Sequence, residues 1–217
     1  PAYNVAAAYR LRGAVDLARL QDVLNAVVAR HAGLRTGFVI RDGVPVQKVD
    51  KQAHVTITQT DLEGQRNRLQ TAQQLAQDHA TTRFDLTQAP LLRVTLIRLE
   101  AEDHVLAVNM HHIISDGWSL GVMMRAVAQA YAGVPLAPSA LEYTDYAAWQ
   151  QDAGASAQQA DLEYWRTRLA DLPVLSTLTP DAPRPAVQSH AGARIGVALN
   201  TTSTEKLRVL AQRQGGT

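Results

Sequence analysis

The sequence predicts an α/β fold of the α+β kind, a mixed β-sheet packed with helices. Three observations carry that expectation. Runs with a period of two alternate along the chain with runs of helical period. Two long apolar stretches, 91–99 and 104–110, are separated only by the polar Glu100-Ala101-Glu102-Asp103, as in a hairpin near the middle of a sheet. Of the 217 residues, 46% are hydrophobic and 19% charged, enough apolar material for a sizeable core and too little charge for disorder.

Taken in order, Val5, Ala7, Tyr9 and Leu11 alternate with Ala6, Ala8, Arg10 and Arg12, which reads as a strand with one buried face that ends at Gly13. Asp16 is placed to cap a helix with Leu17, Leu20, Leu24, Val27, Val28 and His31 on one side. Phe38-Val39-Ile40 and 44–49 flank Asp42-Gly43, a two-residue hairpin signal. A further strand is expected over Val55-Thr56-Ile57-Thr58. A solvated helix is expected over 65–83, with Leu69, Ala72, Leu75, Ala76, His79 and Ala80 inward. After the central hairpin, Asp116-Gly117 turns the chain into a helix bearing Leu120, Met123, Met124, Val127, Ala130 and Tyr131, which stops at Gly133 with Pro135 behind it. A linker over 135–139 leads to Tyr143–Trp149 and then to a helix with Leu162, Trp165, Leu169 and Leu172.

Four of the nine prolines fall between 172 and 185, which marks a boundary. The expected organisation is a first lobe over 1–172, a Pro-rich bridge over 173–185 and the start of a second lobe over 186–217. That last part offers one strand, 193–199, and one helix opened by a capping box at Thr202-Ser203-Thr204-Glu205. One strand and one helix bury no core alone, so the tail is expected to pack on the first lobe or to belong to something missing. With no Met at position 1 and Gly215-Gly216-Thr217 directly after an amphipathic stretch, both ends are expected to be cut.

Charge and cysteine content narrow the chemistry. Lys and Arg number 21 against 20 Asp and Glu, so no broad field steers the chain to nucleic acid or an anionic membrane. With no cysteine, a disulfide framework, a thiolate zinc site, an iron–sulfur cluster and a cysteine nucleophile are excluded. No apolar run reaches the 18 or so residues that cross a bilayer, and no export signal is visible, so a cytoplasmic setting is expected.

The strongest chemical candidate is His111-His112-Ile113-Ile114-Ser115-Asp116-Gly117, two imidazoles at the end of a buried strand just before a tight turn. A neutral imidazole takes a proton near pH 7 because its ordinary pKa is about 6.5. Adjacent strand residues point to opposite faces, so only one of the two can face a given substrate. Asp116 could orient an imidazole or pair with an arginine, and Gly117 allows a positive φ or close backbone approach. A metal site is the rival reading, but adjacent His side chains diverge and the helical His-x-x-x-His spacing is absent. A serine triad would need Ser115 or Ser119 as nucleophile, and there is no Gly-x-Ser-x-Gly elbow.

A second candidate lies over Arg30–Phe38. Arg30 and Arg35 at a helix-to-strand junction could clamp an anion, or one could pair with a carboxylate such as Asp116. Two solvated arginines favoured by the helix dipole are the simpler reading of those residues alone.

Four stretches, in order, resemble the condensation domains of nonribosomal peptide synthetases. Met110 through Ser119 resembles the family's His-His-x-x-x-Asp-Gly signature with the Trp118-Ser119 ending. Arg30–Phe38 resembles Arg-His-x-x-Leu-Arg-Thr-x-Phe, Tyr143–Trp149 resembles Tyr-x-Asp-Tyr-Ala-x-Trp, and 181–185 resembles the Asp-x-Pro-Arg-Pro bridge. The signature alone is shared with acyltransferases of the chloramphenicol acetyltransferase type. Ala32 departs from the family, which usually has an acidic residue there.

The resemblance implies a chloramphenicol acetyltransferase-like lobe and amide formation between two thioesters. Each is carried on the phosphopantetheine arm of a carrier domain, with no cofactor bound directly and no metal. It implies His112 as the active imidazole, His111 as inward-facing support, Asp116 salt-bridged to Arg30 or else to Arg35, and Gly117 open to the arm and amine. Arg30, Arg35, Trp118 and Ser119 would support the site. The implied partners are donor and acceptor peptidyl carrier domains, a neighbouring adenylation domain and a missing C-terminal lobe. With the family's tunnel running between two lobes, the chain alone is expected to be inactive. An epimerisation domain, which shares the signature, and a noncatalytic carrier-docking module are the alternatives.

Overall fold

The computed structural model describes residues 2–173, 179–183, 185–187, 193 and 195–216, with the backbone alone for 153–157. The chain divides into two compact units, Pro1–Leu172 and Pro173–Thr217.

The first unit is built on a four-stranded mixed sheet. Strands β1 (Asn4–Arg12), β4 (Ile57–Asp61), β5 (Leu92–Glu100) and β6 (Asp103–His111) lie in the order β1-β6-β5-β4. β1 and β5 flank β6 antiparallel, and β4 joins β5 in parallel. β5 and β6 are central because both faces are apolar, whereas β1 shows the alternation that its sequence predicts. The register sets Asn4 opposite His111 and Arg12 opposite Asp103, so His111 lies at one end of the sheet.

Helices α1 (Leu17–Arg30) and α3 (Gly117–Tyr131) pack on one face. Leu20, Leu24, Val27, Val28, Leu120, Met123 and Val127 meet Leu92, Val94, Leu106, Val108 and Met110 there. Leu24 and Val27 retain 1% of their exposure, and full burial of one such side chain stabilises by about 1.5–3 kcal/mol. Asp16 caps α1 as expected, its carboxylate accepting the Arg19 N–H at 3.0 Å. On the other face α2 (Arg68–Thr81) covers a smaller cluster of Leu62, Ala72, Ile97 and Leu99. The helix is shorter than 65–83 and otherwise solvated, as the sequence suggests.

β2 (Thr36–Arg41) and β3 (Val44–Val49) form a separate hairpin. Asp42 and Gly43 both have positive φ, 52° and 77°, as a type I′ turn requires, and glycine reaches that region without a Cβ penalty. This turn pairs Phe38 with Gln47.

Several expectations are corrected. The strand expected at 55–58 begins two residues later, at Ile57. Side chains of α1 take the preceding backbone groups: Asn25 Oδ1 accepts the Val55 N–H, and Gln21 Nε2 donates to the Val55 carbonyl. Tyr143 onward is not a separate segment before a helix but the start of α4 (Tyr143–Arg168), and Leu169 and Leu172 lie past its end.

In the second unit the expected strand is not formed at residues 193 and 195–199. Ile195, Val197 and Leu199 are 85%, 83% and 60% exposed, and among the described residues no strand pairs with this run. α5 (Thr201–Arg213) begins one residue before the expected Thr202 box, because Asn200 is the cap and its side chain accepts the Ser203 N–H at 2.8 Å. Residues 174–178 and Arg184 of the bridge, and 188–192 and Arg194 beyond it, lie outside the described residues. Among the described residues no helix is long and apolar enough to cross a membrane.

Candidate active site

β6 delivers His111 and His112 to a turn that leads into α3. The backbone pins this point on both sides: His111 N–H donates to the Leu91 carbonyl at 3.1 Å, and His112 N–H to the Tyr3 carbonyl at 2.7 Å. The turn closes on the His111 carbonyl, which accepts from the Ile114 N–H and the Ser115 hydroxyl, each at 3.1 Å. Ser115 is buried and its hydroxyl proton is committed there, which removes it as a nucleophile.

The two imidazoles diverge. His111 turns in between the Tyr3 and Phe84 rings, with centroids 6.3 and 6.1 Å away. Its Nδ1 accepts the Ile113 N–H at 3.1 Å, so the ring is neutral with its proton on Nε2. Burial, with a smaller effect of His112, holds His111 below the ordinary histidine pKa. His112 is exposed, and its side chain has no hydrogen-bond partner among the described residues. It lines a cleft of about 360 Å³ with Ile113, Ile114, Ser115, Asp116 and Ser119 on its own side.

The opposite wall comes from distant parts of the chain: Gly33, Thr36, Phe38, Gln47 and Tyr143. Thus residues of the first three matching stretches converge on one cleft. Glu142, which the sequence reading did not single out, helps to bring Tyr143 there. Its carboxylate accepts the Ala32 N–H at 2.9 Å and also belongs to the capping box that starts α4. Gln47 was likewise missed, although the two-residue turn at Asp42-Gly43 dictates its pairing with Phe38 by counting outward.

Among the described residues the expected ion pairs of Asp116 are absent. Asp116 Oδ1 instead accepts the Ser119 N–H at 2.7 Å and the Ser119 hydroxyl at 2.6 Å, which makes it the N-cap of α3. Those bonds, with a smaller effect of His112, hold its carboxyl below the usual range. Arg35 is used elsewhere, donating to the Val28 and Asp50 carbonyls, and Arg30 Nε is buried with no partner among the described residues. Neither arginine lines the cleft. Of the two uses that a glycine allows at position 117, a positive φ is not taken; Gly117 is the first residue of α3, and a Cβ there would meet nothing within 4 Å. Trp118 beside it is 78% exposed. Among the described residues no group of three His, Cys, Asp or Glu is placed to hold a metal ion.

Comparison with known proteins agrees with this geometry. The Condensation domain family matches residues 1–217. The chain is 36% identical over 218 residues to bacitracin synthase 2 of Bacillus licheniformis, covering 100% of the chain and 8% of that protein. It is 37% identical over 222 residues to malpinin synthetase of Mortierella alpina, covering 99% of the chain and 3% of that protein. It therefore spans a small fraction of the length of these curated relatives. Among solved structures, the X-domain in its complex with OxyB from teicoplanin biosynthesis superimposes with a TM-score of 0.83 at 29% identity, over 99% of this chain and 49% of that one. The starter condensation domain of the rhizomide synthetase RzmA, at 23% identity, shares the fold with a TM-score of 0.73, over 80% of this chain and 44% of that one. The lobe has the chloramphenicol acetyltransferase-like architecture. The chain belongs to the condensation domain family of nonribosomal peptide synthetases.

Proposed function

We propose that this chain is the N-terminal half of a condensation domain that forms a peptide bond, a first lobe over 1–172 followed by a bridge and the start of a second lobe. The α-amine of an aminoacyl group on one carrier's phosphopantetheine arm attacks the thioester carbonyl of an acyl or peptidyl group on another's. The C–N bond forms and the C–S bond breaks; the amine gives up a proton, and the departing thiolate takes one.

The observation that carries this reading is the His112 imidazole, unpartnered among the described residues and exposed on a cleft to which three separate stretches of the chain contribute. In that position it takes the amine proton as general base or holds the amine by a hydrogen bond. Asp116 acts on the site through the helix cap, keeping the turn that carries His112 in place. Gly117, with open space where a Cβ would project, leaves the backbone accessible to the arm and the amine. Since positioning can supply several kcal/mol of a two-substrate acyl transfer, the lobe that completes the tunnel matters as much as the base. The chain alone is accordingly inactive, and its partners are donor and acceptor carrier domains and an adenylation domain in a cytoplasmic synthetase.

A docking role is the second reading, because a structurally similar X-domain is found in complex with OxyB. A single-turnover assay of the complete domain with loaded donor and acceptor carriers separates the readings. Amide product supports condensation, and exchange at the donor's α-carbon without amide points to epimerisation. Carrier binding with neither product supports docking. Amide formed by the 217-residue chain on its own would contradict the need for a second lobe.

A further inference from the structure

The segment after α2, Phe84–Thr87, contacts Phe38 of one cleft wall and His111, the sequence neighbour of His112 on the other, without lining the cleft. At one end the Phe84 ring stands edge-on to His111, with an interplanar angle of 88°. Such an arrangement sets the positive edge of one ring against the face of the other and favours one ring orientation. Phe84 is itself held: the Arg93 guanidinium lies 4.3 Å from its centroid and donates to the carbonyl of Arg83 at 2.8 Å. At the other end the Leu86 carbonyl accepts the Phe38 N–H at 2.7 Å, tying the segment to the opposite cleft wall. Asp85 stiffens the middle by accepting from the Thr87 N–H and hydroxyl at 3.0 and 2.8 Å. Gly37 packs directly beneath, where a Cβ would come within 3.0 Å of the Thr87 carbonyl oxygen.

We propose that Phe84–Thr87 is a positioning brace for the cleft, in which Phe84 orients the His111 ring so that Nδ1 holds the backbone of the turn carrying His112. The chain of contacts is continuous: Arg93 on Phe84, Phe84 on His111, His111 Nδ1 on the Ile113 N–H, and His112 between them in sequence. The hydrogen bond to Ile113 exists only for the Nε2–H tautomer, because a protonated Nδ1 is a donor. Phe84 thus acts through His111 and does not contact substrate. The catalytic significance of the brace rests on the reading of His112 as the active imidazole, whereas its effect on the turn does not.

The test uses ring-nitrogen NMR and amide exchange on the 217-residue chain. Wild type is expected to show His111 as a single Nε2–H tautomer with a slowly exchanging Ile113 amide. Phe84→Leu, which keeps bulk but removes the ring edge, is expected to mix the tautomers and speed Ile113 exchange about tenfold. The amides of Val94 and Val108 in the central strands stay unchanged, and Phe84→Tyr restores the wild-type signature. A folded Phe84→Leu chain with a single tautomer and a slow Ile113 amide overturns the proposal. Gly37→Ala, which presses on the brace from its other end, supplies the same readout should Phe84→Leu not fold: an unperturbed Ile113 amide there also overturns it. In the complete domain Phe84→Leu is expected to lower kcat about tenfold with little change in KM. If the NMR changes occur without a change in kcat, the brace stands and the catalytic reading of His112 fails.

Discussion

Asp116 and Ser119 form a closed pair at the start of α3, with one carboxylate oxygen accepting both the backbone N–H and the hydroxyl of Ser119 at 2.7 and 2.6 Å. The acidic residue of the seven-residue signature is therefore a helix cap in this structure, and its effect on His112 runs through the backbone of the intervening turn. Asp116→Ala is expected to lower Tm by about 2–4 °C, the usual consequence of losing a cap in a chain of this size. Asp116→Asn, which can still accept the Ser119 N–H, should retain most of it. Thermal unfolding followed by circular dichroism measures both, and an unchanged Tm for the alanine variant contradicts the capping role.

His112→Ala in the complete domain should reduce condensation by about 10²–10⁴, the range for losing a positioned proton acceptor. The side chain is exposed and makes no hydrogen bond among the described residues, so Tm should stay within about 2 °C of wild type. Single-turnover rates and a melting curve on the same preparation check the two halves. A normal rate removes His112 from the mechanism.

Gly37→Ala should cost on the order of 1–3 kcal/mol, since the new methyl meets a backbone oxygen at 3.0 Å that cannot rotate away. Gly33→Ala is the contrast, because a Cβ there meets nothing within 4 Å. Denaturant unfolding should show the first variant destabilised and the second close to wild type, and equal midpoints would count against the close packing of Thr87.

Stability should fall in two stages as the pH is lowered. His31, His79 and His111 are each held below 6.5, chiefly by burial. The unfolded chain then binds more protons than the folded one as the pH drops below about 6.5, and stability falls with it. Asp85, Asp103 and Asp116 are held below 3.8 by bonds from Thr87, Arg10 and Ser119 respectively. Their contribution is complete above that value and is lost as the pH falls through their lower folded values. Tm recorded from pH 8 to pH 2 should therefore begin to decline below about 6.5 and decline again below about 4. His79→Gln should flatten the first stage, and a flat profile between pH 7 and pH 5 would contradict it.

Much of this molecule was legible from its residues because the relevant physics is local. The period of β1, the Asp16 cap and the Asp42-Gly43 turn each depend on a few neighbouring residues. So does the divergence of His111 and His112, which follows from their adjacency at the end of a strand. Tertiary structure decided what local patterns do not encode. Asp116 chose Ser119, three residues away, over Arg30 at the end of α1 and Arg35 just after it, because the exposed N–H groups of a helix start lie within its reach. Glu142 bonds to Ala32 across 110 positions, and Phe84 reaches His111 across 27, because separate elements pack side by side. The alternating run at 193–199 shows the same division from the other side. Its pattern is that of a strand, yet a strand forms only where another backbone supplies the hydrogen bonds, and its described residues have none.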